Sequence, residues 1–224
     1  MIDGTFGKLV TVSEGDRLVV RARMPAGRRA SFCAVADVLH DVVHATQANV
    51  LWQNGWGTQL GFRTFAEYRL SIPPIPMALL ADDPRFPDLV LVDRRISLPA
   101  MRRLSGGSGF RADDRTYEDF CPPKRRMRVV YWMRAQDGGR NRSLSVHACA
   151  RHFAPNEIGL NIAEAFALCL QKVNAARAYA MDLSNSRSLR GHVASLKWSR
   201  DGLELRPQSV HITDPNHGTA SRRR

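Results

Sequence analysis

The sequence predicts an α+β fold: mainly antiparallel sheet built from several hairpins and packed against two longer helices. Short strand-like runs separated by Gly- and Asp-rich turns recur at 6–24, 126–148 and 192–206. Two segments, about 31–49 and 157–181, carry apolar residues at helical spacing. No internal repeat or heptad pattern competes with this reading. A single globular domain is expected over 1–206, with 105–109 as the place where two lobes would divide and 207–224 as a basic flexible tail.

In the first hairpin, Phe6 to Val12 and Arg17 to Met24 flank Ser13-Glu14-Gly15-Asp16. Ser31 is the expected N-cap of the first long helix, with Val35, Leu39, Val42 and Thr46 as its buried stripe and His40, Asp41 and His44 opposite. Residues 50–63 hold Trp52, Trp56 and three glycines, which break the helix. Pro73, Pro74 and Pro76 open a loop. The run Leu89 to Val92, bounded by Pro87 and Asp93, reads as a strand buried on both faces. Ser105 to Gly109 is a flexible link by composition.

The stretch from Cys121 to Ser145 organises the functional reading. Lys124, Arg125, Arg126, Arg128, Arg134, Arg140 and Arg142 surround the apolar centre Val129 to Met133. Strand propensity over 126–135, a turn at Asp137-Gly138-Gly139 and a return over 141–148 predict a two-stranded basic ribbon. Val129, Tyr131 and Met133 would face one way, and Arg128, Trp132 and Arg134 the other. Such a ribbon suits a major groove, and an aromatic–arginine face suits single strands. Farther on, Ile158, Ile162, Phe166 and Val173 mark the second helix, and Arg200-Asp201-Gly202 turns a terminal hairpin.

Composition points to the same partner. Lys and Arg number 33 against 21 acids, giving a formal net charge of +12. Lysine stands at 8, 124, 172 and 197, so 33 − 4 = 29 of the bases are arginine. Guanidinium forks grip phosphate in a bidentate way and stack on bases. A GC-rich coding sequence would explain arginine over lysine, but not base over acid. The expectation is a cytoplasmic nucleic-acid-binding protein, for DNA or RNA, with Lys124, Arg125, Arg126, Arg128, Arg134, Arg140 and Arg142 as phosphate clamps and Trp132 or Tyr131 as the stacking platform. The alternative partner is an acidic protein surface, to which the chain would dock as a subunit or inhibitor. No cofactor is implied. The N-terminus reads as no signal peptide, and no apolar run approaches the ~20 residues that span a bilayer.

Catalytic patterns are incomplete. His40-Asp41-Val42-Val43-His44 resembles the HExxH zinc-protease motif, with Asp41 where that motif has glutamate, and makes His40, Asp41 and His44 the candidate metal ligands. Asp88 and Asp93 flank a strand. Pro87-Asp88 fits the first half of the PD-(D/E)xK nuclease pattern, but no acid-x-lysine follows. His147 and His152 are the candidates for metal-free acid–base work on RNA. Cys33, Cys121, Cys149 and Cys169 lack CxxC spacing, which argues for free thiols in a reducing compartment.

Overall fold

The structure, a computed structural model, describes residues 9–14, 17–22, 32–106, 117–119, 129–172, 174–188, 190–200 and 202–224. The chain divides into two units, Met1–Ala45 and Thr46–Arg224. The first holds the antiparallel hairpin of β1 (Leu9–Glu14) and β2 (Arg17–Ala22), in register from Leu9↔Ala22 to Glu14↔Arg17. The helix α1 (Phe32–Gln53) begins in this unit and ends in the other. From His40 onward its buried positions are His44, Ala48 and Leu51, whereas Thr46, expected in the buried stripe, is exposed; the side chains of Val35 and Leu39 lie outside the described residues.

The second unit is α+β. After α2 (Trp56–Gln59) and α3 (Phe65–Leu70) come β3 (Asp88–Asp93), α4 (Leu98–Leu104), β4 (Tyr117–Asp119), β5 (Val130–Gln136), α5 (Val146–His152), β6 (Glu157–Gly159), α6 (Ile162–Gln171), β7 (Ala180–Ser188), β8 (Val193–Ser199), β9 (Gly202–Gln208), β10 (His217–Thr219) and β11 (Ser221–Arg223). One sheet runs β3-β5-β11-β6 and is antiparallel throughout. The other runs β10-β7-β8-β9, with β4 also on β7. Its β10–β7 pair is parallel and the rest antiparallel.

The helix α6 contacts both β3 and β7, one strand from each sheet. Every residue from Ile162 to Cys169 is buried. A helix apolar around most of its circumference is stable only when covered on most sides. Its one buried acid, Glu164, is satisfied locally. Asn161 and Glu164 form a capping box, and Glu164 also receives Tyr131 Oη at 2.8 Å and Arg222 Nε at 2.7 Å.

Three expectations change. The helix drawn over 157–181 is β6, the shorter α6 and the start of β7. The Asn161 cap sets its start, and the chain turns away after the extended Lys172, with Ala176 at φ 59°. The return strand over 141–148 does not form: a 3₁₀ turn at Gly139–Asn141 and α5 occupy it, because Ser145 caps the Ala148 amide. β5 pairs instead with β3 and β11, and Trp132 to Gln136 are all buried. The segment 207–224 is not a loose tail but supplies β10 to one sheet and β11 to the middle of the other. Of the expected link at 105–109, residues 107–109 lie outside the described residues. No helix among the described residues is long and apolar enough to cross a membrane.

Candidate nucleic-acid interface

Lys124, Arg125, Arg126 and Arg128 lie outside the described residues. The other members of the basic stretch are parted from one another. Trp132 is buried, and its indole donates to the Pro73 carbonyl at 2.8 Å. Arg134 is buried too, with Nε on Leu79 O at 2.8 Å and Nη1 on Pro87 O at 2.9 Å. Tyr131 Oη serves Glu164, and burial with that carboxylate alongside pushes its pKa up. Arg140 pairs with Glu157 and lies 5.3 Å from the Phe86 ring centroid. Arg142 donates to Pro215 O at 3.0 and 3.1 Å and sits over Tyr179. Arg140 and Arg142 remain exposed.

The His40 and His44 rings are stacked, with centroids 6.4 Å apart. No group of three or more His, Cys, Asp or Glu placed to hold a metal occurs among the described residues. Asp93 is fully engaged: Oδ1 accepts the Arg95 amide and Nε, and Oδ2 accepts Arg95 Nη2 and Tyr68 Oη. Asp88 is partly open. Lys172 Nζ bridges it to Asp137, at 2.9 and 3.0 Å, two residues that sequence spacing never linked. Burial alone would raise the Asp137 pKa, but hydrogen bonds from Tyr179, the Gly139 amide and Lys172 outweigh it and hold it below the usual range. His147 and His152 are exposed on α5, and the His147 ring is 5.5 Å from that of His211. Cys149 and Cys169 are free and buried, and burial raises both thiol pKa values.

A polar sheet face was not foreseen. Directly paired residues share a face, so the register row Thr219↔Asp182, Asp182↔Ser195 and Ser195↔Arg206 places four polar side chains together. His217 joins them: its Nδ1 is 2.9 Å from Asp182 Oδ1 and 3.4 Å from Ser195 Oγ. Asp182 is buried, which raises its pKa, while the His217 side chain keeps 21% exposure. Its Nε2 lies 3.8 Å from Asp214 Oδ2. Both ring nitrogens therefore face carboxylates, the inner one at hydrogen-bond distance. The signal in the sequence was weak, because the partners stand 35 residues apart and 207–224 read as tail.

A cleft of ≈ 480 Å³ opens beside α5, β6 and β7. Its lining includes the apolar Ala150, Phe153, Pro155 and Ile158 and the polar Ser184, Asn185, Arg187 and Arg224. Glu157 also lines it, with its carboxylate already holding Arg85, Arg140, Ser221 Oγ and the Ala154 amide. Asn185 is 6% exposed, and its buried Nδ2 has no hydrogen-bond partner. Leaving such a donor unmet costs about 1–3 kcal/mol.

Charge is sorted by depth. Among the residues of Thr46–Arg224 whose side chains the structure describes, the exposed carboxylates are Glu67 and Asp82. Asp93, Glu157, Glu164 and Asp182 are buried. Exposed bases include Arg103, Arg142, Arg151, Arg190, Lys197 and Arg200. Comparison with protein-family models, curated proteins and solved structures finds no match.

Proposed function

We propose that this is a cytosolic nucleic-acid-binding protein. The depth-sorted charge carries the reading: the buried carboxylates Asp93, Glu157 and Glu164 are spent on internal arginines, while Arg103, Arg142, Arg151, Arg190, Lys197 and Arg200 face solvent. Such a surface repels itself unless a polyanion neutralises it. Arginine rather than lysine suits phosphate forks and base stacking. Arg140 and Arg142, with Arg151, Arg190, Lys197 and Arg200, are the outward candidates among the described residues; Lys124, Arg125, Arg126 and Arg128 complete the set. Arg134 and Trp132 support the fold in this reading, because both are buried and their polar atoms serve backbone carbonyls.

The test is a filter-binding titration of labelled single-stranded RNA, single-stranded DNA and duplex DNA across salt. Affinity should fall log-linearly, with a slope of about 0.7 per neutralised phosphate for single strands and about 0.9 for duplex. No retention at low salt, together with a stoichiometric protein complex that survives nuclease, would replace the reading with docking to an acidic protein surface.

A second reading adds acid–base chemistry on RNA. It rests on His217, whose Nδ1 is oriented by Asp182 as in a histidine–aspartate dyad. Nε2 would take the 2′-hydroxyl proton as that oxygen bonds to phosphorus, and the 5′-oxygen would leave and take a proton from water. Cleavage of RNA but not DNA, lost in His217→Ala, supports this; intact RNA after prolonged incubation removes it.

A further inference from the structure

We propose that the cleft beside α5, β6 and β7 binds one nucleotide unit, a flat heteroaromatic base bearing phosphate. The inference rests on the nucleic-acid reading and names where a base would go. Its volume of ≈ 480 Å³ falls within the range of about 300–1,000 Å³ that small-molecule sites occupy. Its lining carries two chemistries, apolar and cationic, as the two parts of a nucleotide require. Phe153, Pro155 and Ile158 offer apolar area and one ring for stacking.

Asn185 lines the same cleft, and its amide carries donors and an acceptor side by side, the pairing that reads a base edge. Its Nδ2 is a buried donor with no partner, and a small turn of the amide into the cleft it lines would supply one. Ser184 stands next to it in sequence and lines the same cleft. Arg187 and Arg224 also line the cleft and are exposed residues, and Arg151 is exposed on the last turn of α5. These three suit phosphate. Among the described lining residues the side-chain carboxylate is that of Glu157, which is matched by Arg85 and Arg140 and does not oppose an anion.

An apolar ligand would strand the arginines and the amide, and a bare anion would leave Phe153, Pro155 and Ile158 wet. A base with its phosphate satisfies both. The unit could be a free mononucleotide or one residue of a strand, and the experiment separates these sources.

The full chain would be titrated calorimetrically with AMP, GMP, CMP and UMP, and by anisotropy with a labelled 12-nucleotide single strand. At least one mononucleotide should bind saturably, and Asn185→Ala should weaken it by about tenfold. Ala150→Trp fills the cleft from an exposed position and should abolish mononucleotide binding while the melting temperature holds. If the unit belongs to a strand, both variants weaken the 12-mer, and Asn185→Ala leaves the salt slope unchanged because it removes no phosphate contact. Mononucleotide binding with an unaffected 12-mer assigns the cleft to free nucleotides. A 12-mer that binds the wild type, with no mononucleotide bound and neither variant altering strand affinity, overturns the cleft and leaves the nucleic-acid reading standing. Binding of neither probe overturns both.

Discussion

Gln171 holds the backbone of Leu91 at both ends: its Oε1 accepts the Leu91 amide at 2.9 Å and its Nε2 donates to the Leu91 carbonyl at 2.7 Å. Gln47 Oε1 accepts the same amide at 2.9 Å, and Gln47 Nε2 donates to Leu89 O. Among the described residues β3 is the last strand of its sheet, so these are ladder groups that no described strand covers. An open edge invites pairing with another chain, and two side chains close this one.

The shared amide predicts non-additivity. Gln47→Ala leaves Gln171 on the Leu91 amide, and Gln171→Ala leaves Gln47 there. Each single variant should cost about 1–2 kcal/mol in urea unfolding. The double variant should cost about 1 kcal/mol more than the sum, because only then is the amide orphaned. It should also aggregate during refolding, read by light scattering. Strict additivity would show that the two bonds are independent.

Arg134 predicts a separation of stability from binding. Its guanidinium serves the carbonyls of Leu79, Leu80 and Pro87. Arg134→Ala should destabilise by about 3 kcal/mol, since three half-buried carbonyls lose their donor together and a buried side chain is deleted. Arg134→Lys should recover little, because an ammonium lacks the planar fork. Arg142→Ala removes an exposed base and should instead lower the salt slope of nucleic-acid binding by about 0.7–0.9 with little change in melting temperature. Equal loss of binding in well-folded Arg134 and Arg142 variants would return Arg134 to the interface.

Local chemistry decided which parts of this fold were legible. β3 could be read because a short apolar run between a proline and an acid has few other fates. The β8–β9 hairpin could be read because Gly202 closes its turn. The tail could not: β10 and β11 are three residues each, too short for a pattern, and are held by partners far away in sequence. The helix over 157–181 was drawn too long because apolar residues continue past Lys172 into β7, and periodicity does not mark the change of element. The basic ribbon failed for a similar reason. Arginine counts as surface in any composition argument, yet Arg134 is buried where backbone carbonyls converge, which only tertiary structure reveals.

The turn after β5 predicts a steric lock. Gly138 has φ 98°, a conformation side chains avoid, and a Cβ there would lie 2.3 Å from Gly218 O. The reverse holds as well, with a Cβ on Gly218 falling 2.3 Å from Gly138 O. The two backbones touch, which ties the turn to β10 and so places His217. Either alanine variant should cost about 2 kcal/mol or more in thermal or urea unfolding. A Gly218→Ala variant as stable as the wild type would show that the contact yields easily.

Asp137 predicts the pH dependence. Its pKa in the folded chain is depressed, so the stability it contributes is fully present above its unfolded value of about 3.9 and is lost as pH falls through the lower folded value. Asp137→Asn should therefore cost about 1–2 kcal/mol at pH 7, a modest figure because Lys172 keeps 33% exposure. Below about pH 4 the gap between variant and wild type should close, as the carboxyl loses the charge that amide substitution removes. Asp182 runs the other way. Burial raises its folded pKa, so its contribution is fully present below about 3.9 and is lost as pH rises through the raised value. Asp182→Asn should compare more favourably with the wild type at pH 7 than at pH 3.5. Urea midpoints measured from pH 3 to pH 7 test both, and parallel curves for the wild type and both variants would refute the assignment.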